Sequence, residues 1–167
     1  MNCFFITPIG EEGSKTREAA DDVFHGLVKP VCEKIGYNPI RADQLTSTAF
    51  IAQEIFEHLN NDEMVIADVT DHNPNVYLEL GYRMRTYKPF VIIRNAETSN
   101  NRPFDIAGIR SFDYRLRVSS LKEFQRKLET FIQSNAANSE NIRLGLDDAF
   151  SVRREPNGSI SVNPRKL

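Results

Sequence analysis

The chain has 167 residues, 40% of them apolar, and a formal net charge of −2 at neutral pH, which suits one ordinary globular domain with a core. Acidic and basic residues are interspersed, so no basic stripe marks a nucleic-acid partner. No apolar run reaches the roughly 18 to 20 residues that cross a bilayer. The opening Met1-Asn2-Cys3-Phe4-Phe5 lacks the basic segment and long apolar stretch of a secretory leader, so the expectation is a cytoplasmic protein without a membrane partner.

In chain order, Phe4-Phe5-Ile6-Thr7 closed by Pro8-Ile9-Gly10 reads as a buried strand and a turn. Ser14 fits a helix cap, and Val23, Leu27, Val31 and Ile35 recur every fourth residue, which predicts a helix over 15–35 with a kink at Pro30. Gly36 ends it. A short strand over 38–42 precedes Thr46-Ser47, a candidate cap, and then Phe50, Ile51, Ile55, Phe56 and Leu59 at helical spacing. Met64-Val65-Ile66-Ala67-Asp68-Val69 is a continuous apolar run with one acid near its end, the pattern of a strand buried on both faces of a parallel sheet. A polar loop over 70–74 leads into a helix over 75–87. Pro89-Phe90-Val91-Ile92-Ile93 supplies another apolar strand, 111–114 a fifth, and Leu121, Phe124, Leu128, Phe131 and Ile132 a last amphipathic helix.

Strands alternating with helices call for a parallel sheet covered on both faces. The expected fold class is α/β: a flavodoxin-like, Rossmann-like three-layer sandwich with a five-stranded parallel sheet in the order 2-1-3-4-5. The third strand is expected at its centre and Phe4, Ile40, Ile66 and Ile92 on inner strands. This domain spans 1–134. Residues 135–167 read as a linker and C-terminal tail, in which Phe150-Ser151-Val152 and Ile160-Ser161-Val162 flank Pro156-Asn157-Gly158, a hairpin signal.

Cys3 and Cys32 lack the clustering of a disulfide framework or zinc site and read as buried thiols. His25, His58 and His72 are scattered without ligand spacing. No metal and no resident cofactor are expected.

In open α/β sheets ligands bind beyond the carboxyl ends of the strands. That rule directs attention to residues 7–17, 41–54, 68–79 and 94–110, which hold the acids Asp43, Glu54, Asp68, Asp71 and Glu79. Asp68, one residue from the end of an apolar strand, needs donors there; it either ties down the following loop or meets a ligand. Glu79 lies between Leu78 and Leu80, about one turn into a helix. The positive helix end holds such an acid, or it faces a pocket partly desolvated, as catalytic carboxylates do. Gly10 and Gly13 make a permissive loop beside a helix start, where backbone N–H groups can hold phosphate. Arg17 and Arg41 are candidates to fork onto a phosphate group, or surface charges.

Residues 64–83, MVIADVTDHNPNVYLELGYR, resemble the signature of the nucleoside 2-deoxyribosyltransferase-like superfamily: an apolar strand, an acid-bearing loop, and a helix with Glu-Leu-Gly-Tyr. The resemblance extends over about residues 3–133. It implies N-glycosidic bond cleavage, by hydrolysis or deoxyribosyl transfer, on a nucleoside, nucleotide or nucleotide-like cofactor. Glu79 matches the family's nucleophilic glutamate, and Glu54 falls where the family keeps an acid that handles the leaving base. Asn73 stands where the family has an acid, with Asp71 or Asp68 as substitutes. Thr7, Pro8 and Gly10 line the base or sugar side, with Asn75 at the helix start among the binding residues. A homo-oligomer is implied as well. TIR-type NAD-cleaving domains are a more distant resemblance, and a non-catalytic nucleotide sensor is the third reading. Paired carboxylates suit the oxocarbenium-like state of glycosidic cleavage, so Glu54 and Glu79 are expected to look into one cleft beside the first loop.

Overall fold

The computed structural model describes residues 1–45, 51–98, 109–117, 119–137, 150–154 and 160–164. Strands β1 (Asn2–Ile6), β2 (Asn38–Arg41), β3 (Met64–Asp68), β4 (Phe90–Asn95) and β5 (Ser111–Tyr114) form one sheet in the order β2-β1-β3-β4-β5. All four pairings are parallel, with Cys3 beside Met64, Val65 beside Phe90 and Ile92 beside Ser111. The expected topology and the central place of β3 are observed. Ile40 is a correction: its strand, β2, lies at the sheet edge. Pro39, which lacks an N–H, suits an edge strand.

Helices α1 (Lys15–Val23), α2 (Lys29–Lys34), α3 (Ile51–Asn61), α4 (Pro74–Arg85) and α5 (Leu121–Ala137) cover the sheet. The period-2 alternation of strands sends neighbouring side chains to opposite faces. Cys3, Phe5, Met64, Ile66, Val91 and Ile93 pack with Leu27, Val31, Leu128 and Ile132 of the α1, α2 and α5 layer. Phe4, Ile6, Val65, Ala67, Phe90 and Ile92 pack with Leu59, Val76 and Leu80 of the α3 and α4 layer. Each large apolar side chain so buried contributes about 1.5–3 kcal/mol. Both cysteines are buried and free.

The helix predicted over 15–35 is present but interrupted before Pro30. Residues Phe24–Val28 form a π turn in which the Lys29 N–H donates to Phe24 O, and Pro30 then sits in the first turn of α2. Proline has no N–H for the carbonyl four residues back, which is Gly26 O. Gln125 Nε2 of α5 donates to that carbonyl at 2.7 Å. The loss of one helical bond is thus repaired from a neighbouring element, and the chain continues without a break.

The last helix runs to Ala137, three residues past the predicted boundary. Beyond it, β6 (Phe150–Arg154) and β7 (Ile160–Pro164) pair antiparallel as the expected hairpin, apart from the five-stranded sheet. The candidate cap Thr46-Ser47 and the start of α3 at Phe50 lie outside the described residues. No described helix is long and apolar enough to cross a membrane.

Candidate active site

The loop after β3 is anchored by Asp68. This carboxylate is fully buried and accepts from the Thr70 N–H at 3.0 Å, the Thr70 hydroxyl at 2.5 Å and the Tyr114 hydroxyl at 2.8 Å. Thr70 Oγ1 in turn accepts from the Asn95 N–H at 3.0 Å. The network ties the carboxyl ends of β3, β4 and β5 together. Burial pushes the Asp68 carboxyl up, while its donors pull it back down. Of the two roles open for Asp68, the observed bonding is the structural one. Tyr114→Phe is expected to leave Asp68 Oδ2 buried without a donor and to cost about 1–3 kcal/mol. Urea unfolding measures this; a loss under about 0.5 kcal/mol would mean that the clamp does not hold the strand ends.

After Thr70 the backbone enters the left-handed region twice in succession, at Asp71 (φ 59°) and His72 (φ 56°). Non-glycine residues adopt it at a cost, here imposed by the surrounding loop. Asn73 then caps α4: its side-chain oxygen accepts from the Asn75 N–H at 2.9 Å and the Val76 N–H at 3.4 Å. Asn73 thus serves as the helix cap, a role that asparagine and aspartate fill about equally well. Asn75 is exposed. Asp71 is exposed too, and among the described residues none donates a hydrogen bond to its carboxylate.

In α4, Val76, Leu80 and Arg83 are buried against the sheet. Glu79 stands at the border of that stripe, partly buried, and no described residue donates a hydrogen bond to its carboxyl. Burial alone raises it to about 7. A carboxyl that changes charge near neutral pH with no partner is what acid, base or nucleophilic chemistry needs.

On the other side of β1, Thr7 is buried and Pro8 half-buried at the strand end. Gly10 is required by packing, since a Cβ there would collide with Ser14 Oγ and Thr16. Ser14 caps α1 by accepting from the Arg17 N–H. The two candidate phosphate-binding arginines pair with carboxylates of the chain, while Arg41 Nη1 is buried without a hydrogen-bond partner among the described residues. Arg41, 2% exposed, donates to Asp43 at 2.6 and 2.8 Å and to Asp21 at 2.5 Å. Arg17 donates to Asp43 at 2.6 Å and to Asp21 at 3.3 Å. These bonds hold Asp21 and Asp43 below the usual carboxylate range, with Arg41 also lying over the Phe24 ring.

Glu54 lines a polar cleft of about 470 Å³ with Gln44, Leu45, Glu57, His58, Asn61 and Asp62. Glu54, His58 and Asn61 share one helical face. His58 Nδ1 lies 2.9 Å from the buried Asp62 carboxylate, and its ring stacks on Phe4 at 4.9 Å. Glu79 does not line this cleft. Phe56, on a different face of α3, meets α4 through Tyr82. The expected single cleft for the two acids is therefore not what that cavity provides. The i, i+4 spacing of His58 and Asp62 was readable in the sequence. Tyr114 was not, since it lies 46 positions from Asp68.

No protein-family model matches the sequence, and no curated protein does. Solved structures do match. A 2-deoxyribosyltransferase from the psychrotolerant bacterium Bacillus psychrosaccharolyticus superposes with a TM-score of 0.53 at 14% identity, over 72% of this chain and 96% of that one. The CMP N-glycosidase BcmB of Clostridium botulinum superposes with a TM-score of 0.51 at 12% identity, over 78% of this chain and 99% of that one. At such identities the likeness concerns architecture, and the chain has the nucleoside 2-deoxyribosyltransferase-like fold.

Proposed function

We propose that the protein breaks the N-glycosidic bond of a nucleoside, nucleotide or nucleotide-like cofactor, with Glu79 as nucleophile. The observation that carries this reading is the state of Glu79: a desolvated carboxyl without a described hydrogen-bond partner, raised to about 7, in the helix that follows the central strand. A purely structural acid would be expected to have donors, as Asp68 has. The fold supports the reading, since the two similar structures are by name a 2-deoxyribosyltransferase and a CMP N-glycosidase.

In the step proposed, the ionised Glu79 oxygen attacks the anomeric carbon while the carbon–nitrogen bond breaks. The bonding electron pair leaves with the base, which takes up a proton from solvent water. Water or a second base then displaces the glutamate from the sugar and restores it. Asp71 is assigned to a sugar hydroxyl: Asp68 is committed to Thr70 and Tyr114 and Asn73 to the helix cap, whereas Asp71 carries no bond from a described residue. Glu54, which lines the polar cleft with His58 and Asp62, is given no part in the bond-breaking step.

The test is incubation with a panel of nucleosides, nucleoside monophosphates and NAD, with free base measured by chromatography. Release from a nucleoside or monophosphate is the expected result. Release of nicotinamide from NAD alone would move the assignment to the TIR-like reading. Binding without release of any base would make the pocket a sensor and remove the enzymatic proposal.

A further inference from the structure

The pattern that buries α4 does not account for its outer face. Val76, Leu80 and Arg83 are buried on the sheet side, yet Leu78 is 64% and Tyr82 40% exposed. With Phe56, Tyr77 and Gly81 they line an open apolar groove of about 510 Å³, in which Phe56 of α3 meets the Tyr82 ring edge-on at 4.8 Å. Met1, Ile9 and Ile51, the other exposed large apolar residues described, do not line it. Exposed apolar residues gathered in one groove mark a surface that receives something.

A matching apolar face is written into the C-terminal hairpin. In its register Phe150 stands opposite Pro164, Val152 opposite Val162 and Arg154 opposite Ile160, alternating with Ser151 opposite Asn163 and Arg153 opposite Ser161. Successive strand positions belong to opposite faces, so one face holds five apolar residues with Arg154, and the other is polar throughout. β6 and β7 pair with each other and not with the five-stranded sheet, and a two-stranded ribbon in water needs its apolar face packed on another element. We infer that this face docks on the α3–α4 groove of the same chain, as a further layer outside α4. The five residues of each strand extend about 17 Å and the twelve of α4 about 18 Å, so ribbon and helix match in length. The connection reaches as well. In α5, Gln125 meets Gly26 and Glu129 meets Lys34, so α5 runs alongside α1 and α2 toward the amino ends of the strands, where α4 also finishes. From there residues 138–149, twelve in number, span up to about 40 Å, and a domain of this size is roughly 35 Å across. The inference does not rest on the glycosidic reading, and its test uses no substrate.

The chain has no tryptophan, so Phe150→Trp places a single reporter on the apolar face. Its emission in the full chain is expected at the wavelength of a buried indole at every protein concentration, because a contact within one chain does not weaken on dilution. Leu78→Lys and Tyr82→Lys, both at exposed positions, are expected to shift it to the wavelength of an indole in water with unchanged circular dichroism. A second measurement does without the indole. Leu78→Cys combined with Val162→Cys, the native cysteines being buried, is expected to give an intrachain cross-link with a short bismaleimide, whereas Lys122→Cys on α5 combined with Val162→Cys gives none. Absence of the first cross-link would overturn the inference, as would water-exposed emission. Buried emission indifferent to Leu78→Lys would do the same, since the hairpin would then be packed elsewhere. Cross-links found only between chains, or emission that reddens on dilution, would give the hairpin to another copy and overturn the contact within the chain.

Discussion

Glu79→Gln is expected to abolish base release while making the protein more stable above neutral pH. The amide cannot act as the nucleophile, so turnover should fall on the order of 10³-fold or more. The stability change has the opposite sign. Burial holds the Glu79 carboxyl at about 7, against an ordinary value of 4.5, so the folded state binds this proton more tightly than the unfolded chain does. The stabilisation is complete below about pH 4.5 and is lost as pH rises through about 7. At pH 8 the wild type carries a desolvated carboxylate and the variant a neutral amide. The variant should then be more stable by about 1–2 kcal/mol, after allowance for solvent screening of a half-buried side chain. Below pH 5 the two should converge. Wild-type turnover should rise with pH through about 7 as the nucleophile ionises. Unfolding curves that coincide at pH 8 would show that Glu79 is not held at a cost, and unchanged turnover would remove it from the mechanism.

The largest loss of stability is expected from Arg83→Met. Arg83 is fully buried, and its guanidinium reaches three backbone carbonyls: Leu59 O at 2.8 Å, Asp62 O at 2.9 Å and Pro89 O at 2.8 Å. Two of these lie at or just beyond the carboxyl end of α3, where helical carbonyls have no intrahelical partner, and the third precedes β4. One side chain therefore joins α3, α4 and the entry to β4. Burial lowers its pKa to about 10, which still leaves it charged at neutral pH. Methionine replaces the volume but none of the donors, and the expected cost is about 3–5 kcal/mol, a large part of a domain's stability. Arg83→Lys should fall between the two, because a single ammonium cannot span three carbonyls. Urea unfolding decides it; a loss under about 1 kcal/mol for the methionine variant would mean that water satisfies the carbonyls.

The order of elements and the identity of the central strand were determined by sequence pattern alone. The apolar runs at 4–7, 64–69 and 89–93, each followed by a helical period, permit a parallel sheet, and right-handed crossovers leave few strand orders. The special position of Glu79 was legible for the same reason: an acid between two leucines in the helix after a doubly buried strand stands out from its surroundings. The antiparallel pairing of β6 with β7 was legible from the two short apolar runs and the turn residues between them in the sequence.

What only the tertiary structure decided is where each polar group finds its partner. Nothing in the sequence pattern set Asp21 and Asp43 together against Arg41, or Asp43 against Arg17; folding brings them there. Asp68 was open between two roles until Tyr114, from another strand, supplied a donor. Glu54 and Glu79 were expected in one cleft because both stand on helices leaving the same sheet edge. The turn of α3 that directs Phe56 toward α4 places Glu54 with His58 on another face. Periodicity records which face of an element meets the core, because burial of apolar surface is non-directional and needs only the right side. Hydrogen bonds and ion pairs are directional, and partners such as Arg41 and Asp21, Arg17 and Asp43, and Tyr114 and Asp68 lie 20, 26 and 46 positions apart, so only the assembled fold can pair them.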